Sequence, residues 1–282
     1  MPSNPPTDES LVALAQQGDM AALDALVRRH QGWVFNLALR MVWRRPLAED
    51  ATQEILIKAV THLGSFAGRS RFSTWLHRIA VNHLLNVKKS EMEEKAMTFT
   101  DMGASLDAVM EEDLPDEKAM PATQSMIVEE ARMGCITAML MCLDRRQRLA
   151  FILGEVMGED SETAAAALVV TPANFRQLLS RARHDLYQFM NQKCGLVNQA
   201  NPCRCARKAS GFMRHGWLDP ADLQFTKDRV SSVQKAAPEH LRELEGLDRE
   251  HAALYREQPM LAGPDIASRL RELLEKSGFA KN

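Results

Sequence analysis

Asp50-Ala-Thr-Gln-Glu-Ile-Leu-Ile-Lys-Ala59, then Phe66-Ala-Gly-Arg-Ser-Arg-Phe-Ser-Thr-Trp75, then a run closing on Lys88-Lys89, decides the reading of this 282-residue chain. An acidic and then apolar helix stands directly before a loop of aromatic, arginine and small residues. A basic amphipathic helix follows the loop. On that helix Phe72, Trp75, Leu76, Ile79, His83 and Val87 fall on one stripe, and Arg71, Arg78, Asn82 and Lys89 on the other side. The stripe reads as core and leaves the basic side to a partner. A base leaving a duplex must be received by groups that stack and hydrogen-bond it, and its backbone by cations indifferent to sequence. Arg69, Ser70, Arg71, Ser73 and Thr74, next to Gly68, offer both kinds of group. The plain alternative is a surface turn before an ordinary amphipathic helix.

Outward from this stretch, apolar residues recur at i, i+3 and i+4 and alternating runs are absent, which predicts an all-α chain. Leu11 to Val27 suggest a helix broken near Gly18-Asp19, and a further helix carries Trp33 to Val42 before Pro46. Ala51 to Leu63 precedes the loop. Asp144-Arg-Arg-Gln147 has the spacing of a capping box, Ser161 caps an alanine-rich helix through Leu168, and Thr171-Pro172 opens another. The result is a helix, a short helix, a turn and a helix. On the last one Phe175, Leu178, Leu179, Ala182 and Leu186 form the buried stripe. Asn174, Arg176, Gln177, Ser180, Arg181 and Arg183 are left for base edges and phosphates in a major groove.

Charge separates the chain into blocks. Residues 8 to 90 carry a net +4, 91 to 130 a net −10, 131 to 215 a net +6 and 216 to 282 a net −2. Two basic blocks around an acidic strap outline a two-point nucleic-acid binder. The predicted domains are 8–90, an acidic flexible linker 91–125 with at most short helical pieces, a helix-turn-helix domain 126–192, and a Cys-bearing helical extension 193–282. The extension has helical stretches near Ala221 to Lys235, Pro238 to Glu257 and Asp265 to Ser277. Met1 to Ser10 lacks a positive start and an apolar core, and the longest apolar run, Ala164 to Val170, is too short to span a bilayer. A cytoplasmic protein is expected, with no membrane partner.

Five cysteines, odd in number and unevenly spread, argue against an extracellular disulfide framework. Cys194, Cys203 and Cys205 crowd together. Three thiolates want a fourth donor for tetrahedral zinc, and His215 or His184 is within reach in sequence. A thiol-disulfide switch and an inert cluster that extends the charge of Arg204, Arg207 and Lys208 are the other readings. No general base stands beside a nucleophile near these thiols, so no catalytic residue is assigned and an enzyme is not expected.

The order Glu49-Asp50, Gln53-Glu54, Lys58-Ala59, Leu63, Phe66, Gly68, Phe72-Ser-Thr-Trp75-Leu76, Arg78-Ile-Ala and Asn82 resembles region 2 of bacterial sigma-70 family RNA polymerase sigma factors, of the extracytoplasmic-function (ECF) group. The resemblance covers roughly residues 8 to 190. It implies that Asp50, Gln53 and Glu54 dock on the clamp helices of the core RNA polymerase β′ subunit. It further implies that Gly68, Arg69, Ser70, Arg71, Phe72, Ser73, Thr74 and Trp75 receive single-stranded promoter DNA, and that His77, Arg78, Asn82 and Lys88 lie on promoter DNA. The 144–190 block resembles region 4, with Arg176 and Ser180-Arg-Ala-Arg183 matching best. Leu56 stands where an aromatic is frequent, Val169 where a glycine is expected and Leu178 where an arginine is frequent. The function implied is promoter-specific initiation with no required cofactor. Either an anti-sigma factor or the extension itself, acting in place of one, is expected to modulate it, and in the second case deleting 195–282 changes transcription. The rival reading is a helix-turn-helix regulator that does not act through core polymerase.

Overall fold

Thr7 and Asp19 start the first two helices of the computed structural model, which describes residues 5–87, 93, 97–116, 122–226, 229–232, 246–256 and 258–277. The Thr7 hydroxyl accepts from the Ser10 amide, and the Asp19 carboxylate from the amides of Ala21 and Ala22, satisfying donors that a helix start leaves open. Helix α1 spans Asp8–Gln16 and α2 spans Met20–Val42. Pro46 lies in the first turn of α3, Arg45–Thr61, where its missing N–H is harmless. A 3₁₀ turn, Leu63–Ser65, and an open loop lead to α4, Phe72–Asn86.

The chain falls into two compact units. The first comprises Met1–Lys88, Ser161–Pro172 and Ala262–Asn282. Its core is the inner half of α2, where Val34, Phe35, Leu37, Ala38 and Met41 have no exposed surface, closed by Ile55 and Leu56 from α3 and Leu76, Ala80 and Leu84 from α4. Helix α8, Ser161–Leu168, packs against α4 and is built for close approach, with Ala164, Ala165 and Ala167 buried. Helix α12, Ile266–Ser277, packs on α2 and α3. Gln31 Oε1 accepts from the amides of Ile266 and Ala267, Arg28 bridges to Asp265, and Arg271 to Asp24. Of the predicted extension, α12 therefore belongs with the first unit, and so does α8 from the block 126–192.

The second unit comprises Lys89–Asp160 and Ala173–Leu261. The expected flexible linker is here partly a helix, α5, Phe99–Ala108, started by a reciprocal Thr98/Asp101 capping box. Its buried Met102 and Leu106, with Val109 just beyond, are an i, i+4, i+7 stripe that the net charge of the segment conceals. Phe99 meets Phe189, and the buried Lys208 ammonium donates to the carbonyls of Leu106 and Val109, where a helix C-terminus attracts a cation. Glu93, also in the expected linker, is buried and pairs with both Arg145 and Arg148.

Helices α6, Gln124–Met141, and α7, Arg145–Phe151, are joined through Asp144, whose carboxylate caps the amides of Arg146 and Gln147. The chain then runs through a wide π-type turn, Ile152–Val156. Helix α9 is Pro172–Lys193, α10 is Cys205–Arg214 and α11 is Gly246–Arg256. One expectation fails between Ala221 and Lys235. Arg229–Ser232 is a strand, β1, paired antiparallel with β2, Pro259–Leu261. The β-branched Val230 suits an extended backbone better than the helix assigned to it. Residues 233–245 lie outside the described residues.

Glu155 in the π-type turn is fully buried, with Arg183 of α9 on one carboxylate oxygen and Arg256 of α11, at 2.5 Å, on the other. The Arg256 Nε also donates to the Glu155 carbonyl at 3.0 Å. Removing the carboxylate charge strands two guanidinium groups, so Glu155→Gln lowers the stability of the second unit by about 3 kcal/mol. Urea unfolding of wild type and variant, followed by tryptophan fluorescence and circular dichroism, measures this difference.

Candidate functional site

The Asp50 and Glu54 carboxylates are exposed one turn apart on α3, with Gln53 half-buried beside them. The inward residues of the same helix, Ala51, Thr52, Ile55, Leu56 and Ala59, are buried. Thus the local pattern fixes one acidic edge outward. Behind it lies a contact that the sequence did not announce: Lys58 Nζ is 2.7 Å from His83 Nδ1, and His83 Nε2 is 3.9 Å from a Glu54 oxygen. Burial first, then the Lys58 charge, lowers the His83 pKa against the opposing pull of Glu54.

The loop after α3 is anchored at both ends. Gln16 Nε2 donates to the carbonyls of Leu63 and Phe66 at 2.9 and 3.0 Å. Phe66, Phe72 and Trp75 form an aromatic triangle with ring centroids 5.3 to 5.9 Å apart, and His30 meets the edge of Phe72. Between these anchors Gly68 to Arg71 stand exposed, with Gly68 at φ +68°, a conformation that costs glycine little. Arg78, Asn82 and Asn86 continue this exposed surface along one stripe of α4, and the Asn86 amide donates to the Asn82 side chain and carbonyl. Asn86 escaped the sequence reading, although it is the next i+4 position after Asn82.

Two candidates from this region are core residues instead. Phe72 is 3% exposed and belongs to the aromatic triangle. His77 is 5% exposed and lies flat on Trp33, with ring centroids 3.6 Å apart and planes 6° from parallel. Burial, with the nearby His30 as a smaller cause, pushes the His77 pKa down to about 3, so the ring is neutral and faces no phosphate. Ser73, Thr74 and Trp75 are half-buried. Lys88 lies outside the described residues.

On α9, Asn174, Arg176, Gln177, Ser180 and Arg181 are exposed, and Arg176, Gln177, Ser180 and Arg181 line one open concavity with Ala173. Phe175, Leu179, Ala182 and Leu186 are buried, as the spacing predicts, whereas Leu178 of the same predicted stripe is half-buried at its border. Arg183 is not available to DNA in this arrangement because its guanidinium is committed to Glu155. The preceding turn uses Val169 at φ +55°, the left-handed conformation that a β-branched residue resists, with the Val170 amide donating to the Ala165 carbonyl.

The thiol loop is a third structured element. Cys194 and Cys203 are paired through a parallel backbone bridge. The Arg204 guanidinium folds back onto the carbonyls of Gln199, Asn201 and Cys203, and a side chain at Gly195 would collide with it. His215 is exposed and stacks on Trp217, outside the thiol cavity, and His184 is an exposed residue of α9. Instead Cys135 of α6 joins Cys194, Cys203 and Cys205 around one cavity. Burial pushes the Cys135 thiol well up and that of Cys205 up to about 12, with the neighbouring thiols adding to both shifts. Among the described residues no three His, Cys, Asp or Glu side chains meet in the spacing of a formed metal site.

Residues 26–92 match the family described as Sigma-70 region 2. The chain is 44% identical over 79 residues to the RNA polymerase sigma-H factor of Pseudomonas aeruginosa, a match covering 28% of this chain and 41% of that relative. It is 32% identical over 180 residues to the ECF RNA polymerase sigma-E factor of Escherichia coli, covering 64% of this chain and 92% of that one. The chain belongs to the ECF sigma factors. A solved structure of CnrH in complex with the cytosolic domain of CnrY aligns with a TM-score of 0.47 at 21% identity, covering 65% of this chain and 97% of that one. In this ECF chain the region 2 match contains α3, the exposed loop and α4 entire. No helix among the described residues is long and apolar enough to cross a membrane.

Two measurements follow. His77 titrates near 6.5 when unfolded but near 3 when folded, so the unfolded chain binds the extra proton. The stability this neutral ring carries is complete above pH 6.5 and falls by roughly 1.4 kcal/mol per pH unit below it, down towards pH 3. Thermal melts across that range show a shallower acid dependence for His77→Phe than for wild type. At the second turn, Val169→Gly relieves the left-handed strain and raises stability by about 1 kcal/mol, read as an increase in Tm.

Proposed function

We propose that this ECF chain recruits core RNA polymerase to promoters and helps to melt them, with α3 facing the polymerase and the Gly68 to Arg71 loop facing the displaced strand. The observation that carries the reading is the adjacency of the outward Asp50 and Glu54 edge and the outward cationic loop within the part that matches Sigma-70 region 2. Two carboxylates one turn apart, flanking an amide, complement a basic and polar helical surface such as the β′ clamp helices. Next to them the loop holds Arg69 and Arg71 for backbone phosphates. The half-buried Trp75 ring, braced by Phe66 and Phe72, offers a stacking surface for an unpaired base.

Arg78, Asn82 and Asn86 extend the same surface along the duplex, and Arg176, Gln177, Ser180 and Arg181 of α9 supply major-groove donors at the second point. We assign no catalytic residue. Promoter reading in this scheme needs no cofactor and proceeds in the cytoplasm, where the polymerase works. Helix α12 leaves Asp50 and Glu54 exposed, so it braces α2 and α3 without covering the acidic edge. A separate anti-sigma factor would have that edge to compete for.

Run-off transcription with purified core polymerase on genomic DNA tests the reading. Wild type directs discrete transcripts, and Asp50→Ala/Glu54→Ala reduces them by at least about tenfold through lost core affinity, equivalent to about 1.4 kcal/mol. The double variant retains duplex binding through α9. A protein that binds DNA but yields no core-dependent initiation refutes the proposal and leaves a helix-turn-helix regulator.

A further inference from the structure

The thiol cavity carries an inference independent of promoter reading. Cys194, Cys203 and Cys205 come from one closed loop, whereas Cys135 comes from the middle of α6, and helix α10, which begins at Cys205, packs against α6. All four thiols are free and line the same cavity of about 20 Å³. Arg132 and Lys193 are its charged walls, and its other walls are apolar. Cys142, the fifth cysteine, does not line it.

We propose that Cys135, Cys194, Cys203 and Cys205 bind one thiophilic divalent cation of the zinc class as a structural tetrathiolate site. Four sulfur donors and no oxygen donor select a soft or borderline cation over magnesium or calcium. A tetrahedral set of four thiolates is closed, leaving no position for substrate, so the site is structural rather than catalytic. Each thiol gives up its proton to the solvent, so one divalent cation and four neutral thiols yield a dianionic centre and four released protons. Arg132 and Lys193 stand where that double negative charge develops, and each is held by a carboxylate of its own, Glu129 and Asp107.

The loop is already shaped for this role. The Cys194–Cys203 backbone bridge and the Arg204 strap hold it closed, and Gly195 permits the close approach. The thiols share a cavity without standing at ligating distance, so the cation must draw sulfurs to about 2.3 Å and thereby clamp α6 to the end of α9 and the start of α10.

The full-length chain, purified under reducing conditions without a chelating resin, decides the matter. Zinc is expected at about one equivalent by elemental mass spectrometry. Cobalt substitution gives the intense visible bands and thiolate charge-transfer absorption of a tetrahedral sulfur site. Cys135→Ser weakens zinc binding by at least about tenfold. Cys142→Ser and His215→Ala bind as wild type does. Because Cys135→Ser tests folding as well, the unmodified protein is also alkylated with and without zinc and mapped by mass spectrometry. Zinc protects Cys135, Cys194, Cys203 and Cys205 and leaves Cys142 unchanged. Absence of zinc and of the cobalt spectrum overturns the proposal, as does a Cys194–Cys203 disulfide in the metal-free protein that excludes zinc. Loss of binding in His215→Ala, or protection of only three thiols, also overturns the four-thiol set.

Discussion

The buried carboxylate of Glu155 is the constraint around which the second unit is arranged. A carboxylate with no exposed surface costs several kcal/mol unless charge and hydrogen bonds surround it. Arg183 and Arg256 provide both, and in doing so they bring together a turn, helix α9 of the block 126–192 and a helix far along the extension. The aromatic layer around this point, Phe151 against Tyr255 and Tyr187 against His251, joins the same three segments through apolar surface. Glu93, Glu130 and Lys208 repeat the logic elsewhere in the unit: each is a buried charge spent on capping backbone or pairing guanidinium. Glu130, for instance, accepts the amides of Gln224, Phe225 and Thr226. Charges that composition presents as a solvated strap or a DNA-facing surface therefore do structural work.

This division explains which parts of the molecule were legible from sequence. Most helices of both blocks follow from local signals, because the Asp144 cap, Pro172 and apolar periodicity act within a few residues, although α3 begins at Arg45, ahead of the expected Ala51, with Pro46 in its first turn. The outward position of Asp50, Glu54, Arg176 and Arg181 follows from the same periodicity. His77 and Arg183 could not be placed this way. Each sits near the border of a helical stripe, where an inward or outward orientation is settled by a distant partner: Trp33 for His77 and Glu155 for Arg183. Phe72 follows the apolar stripe into the core, against the strand-receiving role that the resemblance implied for it.

Two further misses have the same cause. The stripe of α5 is short and embedded in acidic sequence, so net charge outweighed Met102, Leu106 and Val109 in the reading of residues 91–125. Cys135 carries no spacing signal toward Cys194 at all. Only the packing of α10 on α6 brings it to the loop, and the nearer histidines in sequence turn out to be elsewhere. Val169 is the opposite case. A valine in place of the expected glycine suggests a turn built differently, yet the chain adopts the left-handed conformation there, with Val169 at φ +55°.

The Arg204 strap has a consequence for the order of folding. Its hydrogen bonds span at most five residues, so the loop from Cys194 to Cys205 closes through local contacts that form quickly, before any distant segment has arrived. Cys135, by contrast, leaves the ribosome well ahead of the loop and stays without its neighbours until α10 docks on α6. During synthesis the preformed loop acts as a latch waiting for its catch. The slow event in building this part of the protein is the search that brings α6 to it.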